Sequence, residues 1–428
     1  KCILCNRCVE ACSKKQGVMV MAKENRGFDT VVVPPYGKLL ADTSCVNCGQ
    51  CIQVCPVGAL SVHDDTERIY EQIDAGKYMT VQIAPSVRIT LAESLGYKPG
   101  TVTTGKIVHA LRKIGFHKVF DSDFTADLTI MEEGTEFLHR MQNHGTLPLI
   151  TSCCPAWVKY CETYGYDQLD HLSTAKSPQQ MFGAVIKTFF TEKEKIDPKD
   201  ICSVSVMPCT AKKFECRRKE FHDSGFQDVD ISITVVELAK MIRTAGIHFE
   251  DLEDQEFDAP FGLGSGAGQI FGSTGGVMEA ALRTVYEVLT GETLEKLEFM
   301  QVRGLEGIRE ASLTIKGQEI RVAIVHGLKN VEGILEQIKA GTSPYHFIEV
   351  MACEGGCIGG GGNAPKTMAK VRERQRAIYE EDQKLPIRKS HENIYVQKLY
   401  EEYLGEPLSE KSHKLLHTTY HSRRDLLR

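Results

Sequence analysis

The 428-residue chain has 42% hydrophobic and 25% charged residues and a formal net charge of −6. This composition is typical of a protein with more than one folded domain, and the acidic surplus argues against a nucleic-acid partner, because phosphates are neutralised by cations. The sequence contains no apolar run of about 18 residues and no signal-peptide pattern, so we expect a cytoplasmic protein without a membrane span. Because a cysteine motif begins at Cys2, directly after Lys1, we also expect further residues upstream.

The first sixty residues contain the spacing C-x2-C-x2-C-x3-C twice. Within this spacing three cysteines bind one 4Fe-4S cubane and the fourth binds the other cubane. The first cluster is therefore predicted to be bound by Cys2, Cys5, Cys8 and Cys55, and the second by Cys45, Cys48, Cys51 and Cys12. Paired zinc knuckles are the alternative, but a third cysteine at the same step in both repeats fits zinc poorly. We predict an α+β two-cluster ferredoxin domain over residues 1–75 that conducts electrons.

From about residue 78, short apolar runs alternate with amphipathic stretches, a pattern typical of strand–helix units and a parallel sheet. The first unit is predicted as a strand from Tyr78, a turn at Pro85 and then a helix. Three later strands lead directly into cysteine-bearing loops, TSCCPAW, MPCTAKKFE and MACEGGC. Ligands of parallel sheets bind beyond the carboxyl ends of the strands. We therefore expect these loops to meet at one site.

The three loops supply five cysteines: Cys153, Cys154, Cys209, Cys353 and Cys357. A cubane binds four, so the fifth either bridges to a second metal centre or remains a free thiol. Pro155 suits the first turn of a helix, for which Thr151 or Ser152 is the predicted cap. The N–H groups of that turn favour a thiolate at the adjacent cysteines.

The motifs TSCCPAW (residues 151–157), MPCTAKKFE (207–215) and EVMACEGGCIGGGG (349–362) resemble the three signature motifs of the iron-iron (FeFe) hydrogenases, and the resemblance extends over essentially the whole chain. It implies an H cluster, in which a 4Fe-4S cubane is joined to a two-iron unit carrying carbon monoxide, cyanide and a bridging amine dithiolate. The implied cubane ligands are Cys154, Cys209, Cys353 and Cys357, with the Cys357 sulfur bridging to the two-iron unit. Cys153 is then the residue that passes protons to the amine. Ala156 stands where many members of the family have glycine.

The stretch MEEGTEFLHR places Glu133 and Glu136 three residues apart on one helical face, with Arg140 a turn further. The resemblance implies a proton relay through these two carboxylates with the hydroxyl of Ser173 between them. Taken without the motifs, the pair would be interpreted as a solvated acidic helix face.

The resemblance also implies residues that surround the two-iron unit. Lys212 is expected to donate a hydrogen bond to a cyanide, and Ser86 is expected to do the same beside Pro85. The expected remainder of the wall is Met207, Met351, Gln179 and Phe271. Without the neighbouring motifs, a surface lysine and core methionines would be the default interpretation.

Other features suggest no additional site. The run G-x4-G-K at residues 100–106 lacks the hydroxyl residue of a nucleotide-binding loop, because Ile107 follows. The glycine-rich segment at residues 261–280 has no dinucleotide fingerprint and is predicted to form a loop and helix start beside the cofactor. His413, His417 and His421 are predicted to be surface residues. Cys161 and Cys202 are predicted to be buried, and Cys216 has no evident partner.

We therefore predict an enzyme that reversibly oxidises molecular hydrogen to protons and electrons. The expected fold is α/β, with a two-lobed H-cluster domain of parallel sheets flanked by helices over residues 76–385 and a helical tail over residues 386–428. A hydrogenase-like assembly factor and a sensory hydrogenase are alternatives, but both are expected to lack an intact relay. A plain electron-transfer protein would not need the five loop cysteines. We expect a subunit of a hetero-oligomer whose redox partner is ferredoxin, a flavin subunit acting on NADH, or a formate dehydrogenase module.

Overall fold

The computed structural model describes residues 1–427. Its strands are β1 Ala22–Glu24, β2 Val31–Val33, β3 Tyr78–Ile83, β4 Lys118–Asp121, β5 Leu149–Ile150, β6 Ile201–Met207, β7 Ile231–Thr234, β8 Ile308–Ile315, β9 Gln318–His326 and β10 Phe347–Met351. Its α-helices are α1 Arg7–Glu10, α2 Gln50–Gln53, α3 Thr66–Asp74, α4 Val87–Ser94, α5 Thr104–Ile114, α6 Asp123–Gln142, α7 Pro155–Tyr164, α8 Pro178–Val185, α9 Thr191–Glu194, α10 Ala211–Cys216, α11 Val235–Thr244, α12 Gly266–Ile270, α13 Gly276–Thr290, α14 Glu332–Lys339, α15 Met368–Lys384, α16 Ile394–Leu399 and α17 Glu410–Leu416.

The first lobe is built on a four-stranded sheet in the order β4-β3-β6-β7, and all of its pairs are parallel. The strand-turn-helix unit predicted around Pro85 is confirmed as β3 followed by α4. Side chains of β3 and β6 are buried on both faces, as expected for a parallel sheet covered by helices on each side. Helices α3, α5 and α11 contribute to the core beneath this sheet.

The second lobe is built on a sheet in the order β5-β10-β9-β8. Its β5, β10 and β9 are parallel, but β8 pairs antiparallel with β9, so this sheet is mixed rather than purely parallel as predicted. The two-residue turn Lys316–Gly317 has positive φ at both positions, the geometry of a tight hairpin. The side chains of β8 alternate between exposed and less exposed positions because it is an edge strand with one face towards solvent.

The cysteine-rich N-terminal unit contains the antiparallel β1–β2 pair and packs on the second lobe. Its Val18, Val20 and Val46 are buried in the same apolar cluster as Trp157 of α7. The predicted ferredoxin domain extends to residue 75 and so includes α3, whose Ile69 is fully buried in the core of the first lobe. Helix α3 is amphipathic and has its apolar face against the first sheet.

The C-terminal tail is fastened to α6 by a buried carboxylate. Glu132 accepts hydrogen bonds from the Tyr400 hydroxyl at 2.5 Å and the Leu408 N–H at 3.0 Å, and its Oε2 lies 3.0 Å from His417 Nε2. Burial opposes ionisation, but these contacts outweigh it and hold the pKa of Glu132 below its usual value. The prediction that His417 is a surface residue is therefore wrong, because this imidazole is buried as a partner of the carboxylate.

Within residues 1–427, every helix is too short or too polar to cross a membrane.

Candidate active site

The carboxyl ends of β3, β5, β6 and β10 meet around a cavity between the two sheets. Each strand continues directly into a loop that lines this cavity. All five cysteines of the three predicted loops are among the lining residues: Cys153, Cys154, Cys209, Cys353 and Cys357. The expectation that parallel strand ends gather these loops at one place is confirmed.

Cys154 occupies the position directly before α7, with Pro155 in the first turn of that helix. The predicted side-chain cap is wrong: Thr151 Oγ1 accepts from the Val350 N–H at 3.3 Å, and the Ser152 hydroxyl donates to Ala175 O at 2.8 Å. Cys154 Sγ instead accepts from the Ala352 N–H at 3.4 Å. The helix start lowers the pKa of Cys154 as expected, but burial has the larger effect and raises it above the usual value.

Four of the five thiols influence one another. Burial raises the pKa of Cys353 to about 11 and that of Cys357 to about 12, and the neighbouring sulfurs add to both increases. The pKa of Cys209 is raised by burial and then by Cys353, Cys154 and Cys357. Four neighbouring thiolates in this cavity cannot coexist without a compensating cation, and iron ions supply this charge while they replace the protons. The donor set therefore fits a buried iron-sulfur cubane.

The Cys153 side chain has a different electrostatic neighbour. Burial is the main cause of its raised pKa, and the largest charge effect comes from Glu133 rather than from the other sulfurs. Lys212 Nζ donates to the Cys153 backbone carbonyl at 3.1 Å. Cys153 and Cys154 thus have different surroundings, although they are adjacent in the sequence.

Both predicted relay carboxylates of α6 are buried, with Glu133 1% exposed and Glu136 7% exposed, which excludes a solvated acidic face. The Ser173 hydroxyl and Arg140 Nη2 donate to Glu136 at 2.8 and 2.6 Å. Burial and the charge of Glu136 raise the pKa of Glu133 to about 8, and contacts with Ser173 and the Ser152 backbone reduce this shift only in part. Glu133 is therefore neutral at pH 7 and able to give up a proton.

The remaining predicted wall residues also line the cavity: Pro85, Ser86, Met207, Gln179, Phe271, Met351 and Lys212. The Ser86 hydroxyl is buried and has no hydrogen-bond partner among residues 1–427, as expected of a donor that faces a bound group. Gln179 Oε1 accepts from the Ser205 hydroxyl at 2.7 Å, so this amide is already held by protein atoms.

Glu215 is a site residue that the sequence interpretation missed. Its Oε2 accepts from Lys212 Nζ at 2.9 Å, from Gln179 Nε2 at 2.8 Å and from the Ser177 hydroxyl at 3.0 Å. It neutralises the buried lysine and orients it beside the cavity. The three-residue spacing between Lys212 and Glu215 in a short helix was the available signal.

The two predicted cysteine sets of the N-terminal unit are each brought together. Cys2, Cys5, Cys8 and Cys55 line one surface pocket. In the other set, the charges of Cys45 and Cys12 contribute to the raised pKa of Cys51 after burial, so these three sulfurs are neighbours. Cys48 lies closer to the large cavity, because Cys353 is its strongest charged neighbour.

Family comparisons agree with this arrangement. The profile of the iron only hydrogenase large subunit, C-terminal domain, matches residues 77–361, the profile of the iron hydrogenase small subunit matches residues 368–423, and a 4Fe-4S dicluster profile matches residues 1–59. NADP-reducing hydrogenase subunit HndD of Solidesulfovibrio fructosivorans is 51% identical over 100% of this chain and 74% of its own length. Iron hydrogenase 1 of Clostridium pasteurianum is 45% identical over 98% of this chain and 74% of its own length.

A solved structure of FeFe-hydrogenase HydA1 from Chlamydomonas reinhardtii, in a variant form, superimposes with a TM-score of 0.76 at 40% identity and covers 84% of this chain and 99% of its own. Fold and site together define an iron-sulfur oxidoreductase. The chain belongs to the iron-only, or FeFe, hydrogenase family. It is a hydrogenase whose cofactors are an H cluster and additional 4Fe-4S clusters, and it interconverts hydrogen with protons and electrons.

Gly360 lies where the loops of Cys357 and Cys209 pack closely together, so its substitution tests the site. A Cβ added at Gly360 would overlap the carbonyl oxygen of Pro208, so Gly360→Ala must move the loop of Cys357 away from that of Cys209. We expect Gly360→Ala to retain less than about half of the cubane iron, because ligand sulfurs must meet the metal within a few tenths of an ångström. Iron analysis and visible absorption after reconstitution measure this loss. The control Gly333→Ala adds a methyl group in open space on α14 and should retain full iron; equal iron in both variants would contradict the packing argument.

Proposed function

We propose that Cys154, Cys209, Cys353 and Cys357 bind the cubane of the H cluster and that the Cys357 sulfur also bridges to the two-iron unit. The mutual effects of these four thiols on their pKa values support this ligand set. When bound, the H cluster supplies the redox chemistry that splits or forms hydrogen. The chain itself supplies a buried cavity, charged and neutral donors, and routes for protons and electrons.

Two donors are proposed to orient the two-iron unit. The unpartnered hydroxyl of Ser86 lines the cavity and is free to donate to a cyanide. Lys212 has three N–H donors, of which one faces Glu215 and one faces the Cys153 carbonyl, so a third remains for the cavity. Pro85, Met207, Met351 and Phe271 are proposed to exclude water around these donors, and Gln179 is proposed to line the wall with its amide held by the protein.

The observation that carries the proposed proton path is the buried series of groups that connects the cavity with the surface. Glu133 has the largest charge effect on the pKa of Cys153, and Ser173 lies in contact with Glu133 while it donates to Glu136. Arg140 then joins Glu136 to the more exposed end of α6. We infer that protons pass between Cys153 and the surface through Glu133, Ser173, Glu136 and Arg140.

The ferredoxin unit is proposed to supply electrons through two clusters. Cys2, Cys5, Cys8 and Cys55 are assigned to the outer cluster, and Cys45, Cys48, Cys51 and Cys12 to the inner one, in agreement with the way the repeat shares its fourth cysteine. The closeness of Cys48 to Cys353 supports the order outer cluster, inner cluster and cubane.

Cys153→Ala tests the role of the fifth cysteine. The substitution removes an exchangeable proton but none of the proposed cubane ligands, so iron content and the infrared bands of carbon monoxide and cyanide should be unchanged. Turnover should fall by about 100-fold or more, the usual contribution of a positioned proton donor. Cys161→Ala removes a fully buried thiol from the helix that follows Cys153 and should keep full activity. Full activity of Cys153→Ala would overturn the path.

The pH dependence of Glu133 gives a second test. With a pKa raised to about 8, its carboxyl is protonated at neutral pH and loses the proton as pH rises through that value, so hydrogen evolution should decline on the alkaline side. Glu136→Gln removes the negative charge that raises the pKa and should move this decline, and the infrared carboxyl band of Glu133, to lower pH. Glu401→Gln, an exposed substitution in the tail, is the control. An unmoved carboxyl band in Glu136→Gln would contradict the coupling.

We also propose that the chain functions in the cytoplasm within a hetero-oligomer whose partner subunit exchanges electrons with a nicotinamide nucleotide. The name of the 51% identical relative supports this choice over a formate-linked module or free ferredoxin. Exposed apolar side chains, Phe28, Tyr36 and Leu39, lie in the ferredoxin unit and are suited to a subunit contact. The proposed internal division is a ferredoxin unit ending before residue 66, a two-lobed domain, and a tail from residue 386.

Copurification tests the proposed assembly. The native complex should reduce NAD(P)+ with hydrogen, and Phe28→Asp should release the partner and abolish this reaction while hydrogen-dependent dye reduction persists. Met300→Asp places the same charge at an exposed apolar position of the second lobe and should leave the complex intact. Hydrogen-dependent reduction of carbon dioxide to formate without nicotinamide reduction would instead identify the formate-linked alternative.

A further inference from the structure

Gln50 forms a contact between the ferredoxin unit and the large cavity. It lies in α2 between Cys48 and Cys51, is buried, and its Nε2 is 3.1 Å from Cys353 Sγ and 3.2 Å from Gly359 O. Cys353 is one of the proposed cubane ligands. A side chain adjacent to two inner-cluster cysteines therefore reaches a sulfur of the other metal site.

The orientation of the Gln50 amide is fixed by its other neighbours. Lys366 Nζ, which is only a donor, lies 2.9 Å from Gln50 Oε1 and 2.7 Å from Gly359 O. Gly359 O can only accept, so the amide oxygen must face the lysine and the amide N–H groups must face Gly359 and the sulfur. The hydrogen bond to Cys353 thus has a defined direction.

The backbones around this contact approach unusually closely. A Cβ at Gly361 would lie 2.6 Å from Cys48 O and 2.7 Å from the Cα of Gly49, so only glycine permits the separation. Gly49 itself has a positive φ of 67°, which favours glycine, and lies directly before α2. These features place Gln50 where the backbones of the ferredoxin unit and the loop after Cys357 are in close contact, and where electrons are proposed to leave the inner cluster.

We propose that Gln50, oriented by Lys366, is a positioning residue that sets the reduction potential of the H-cluster cubane through its hydrogen bond to Cys353; this rests on the proposed ligand set. Hydrogen bonds to cluster sulfurs stabilise the more negative, reduced state and raise the potential. The partly buried ammonium of Lys366 acts in the same direction through its charge. Gln50 and Lys366 together favour an electron on the cubane over an electron on the inner cluster.

Gln50→Leu tests this effect, because it replaces the amide donor by an apolar side chain of similar volume. At a fixed potential, the ratio of reduced to oxidised cubane should fall about tenfold, equal to about 59 mV for a one-electron couple. Gln50→Glu should lower the ratio further, because it adds a negative charge beside the sulfur. Redox titration followed by infrared and electron paramagnetic resonance signals reads the cubane separately from the ferredoxin clusters.

Gln53→Leu is the matched control. Gln53 belongs to the same helix and interface and is also buried, but its Nε2 donates to Asn363 O at 2.7 Å and its contacts do not include Cys353. We expect an unchanged cubane potential in Gln53→Leu. Lys366→Met, which leaves Gln50 in place without its orienting cation, should lower the cubane potential by less than Gln50→Glu.

Three outcomes would overturn the proposal. One is an unchanged cubane potential in Gln50→Leu with the carbon monoxide and cyanide bands present. A second is an equal shift in Gln53→Leu, which would indicate a general effect of the interface. A third is loss of cubane iron in Gln50→Leu alone, which would assign the hydrogen bond to assembly rather than to potential. Absence of those infrared bands in the unsubstituted protein would instead refute the proposed ligand set.

Discussion

The crowding of cysteine side chains around one cavity is the constraint on which the rest of the structure depends. Burial and mutual repulsion both disfavour the thiolates, so the protein alone cannot hold this arrangement in its charged form. Iron bound by these sulfurs supplies the compensating positive charge. The positions of the cysteines must then match the coordination geometry of the iron. This explains why rigid parallel strands deliver the cysteines and why Gly360 allows their loops to touch.

The proposed routes of protons and electrons reach this cavity from different sides. The side of Cys153 faces the buried carboxylates of α6, of which Glu133 has the largest charge effect on this thiol. The side of Cys353 faces the ferredoxin unit through Gln50, which brings no titratable group to the sulfur. The proposed proton path and the proposed electron path therefore share no residues. It also gives a physical reason for the adjacent pair Cys153 and Cys154, because consecutive side chains leave the backbone in different directions.

The sequence allowed prediction of features that depend on local pattern. Cysteines at strand ends, the repeated cluster spacing and the Pro85 turn all follow from residues close together in the chain. The contact between Gln50 and Cys353 and that between Glu132 and His417 join residues separated by 303 and 285 positions, and no periodicity marks them. The packing of α3 on the first lobe was missed for a related reason. The sequence of an amphipathic helix does not show which apolar surface covers its apolar face.

The buried charges around the cavity are balanced in pairs, and this determines which groups remain available for chemistry. Glu215 neutralises Lys212, and Arg140 neutralises Glu136. The tail holds Glu132 through His417 and three further donors, the Tyr400 hydroxyl, the Leu408 N–H and the Ser412 hydroxyl. Glu133 is the exception on this face, because the structure gives it no cationic partner among the described residues and its Oε2 accepts no hydrogen bond. A buried carboxyl without a counter-ion keeps its proton at neutral pH. The lack of a counter-ion would destabilise an ordinary protein core. At Glu133 it keeps a proton on the carboxyl group, and this proton can be transferred.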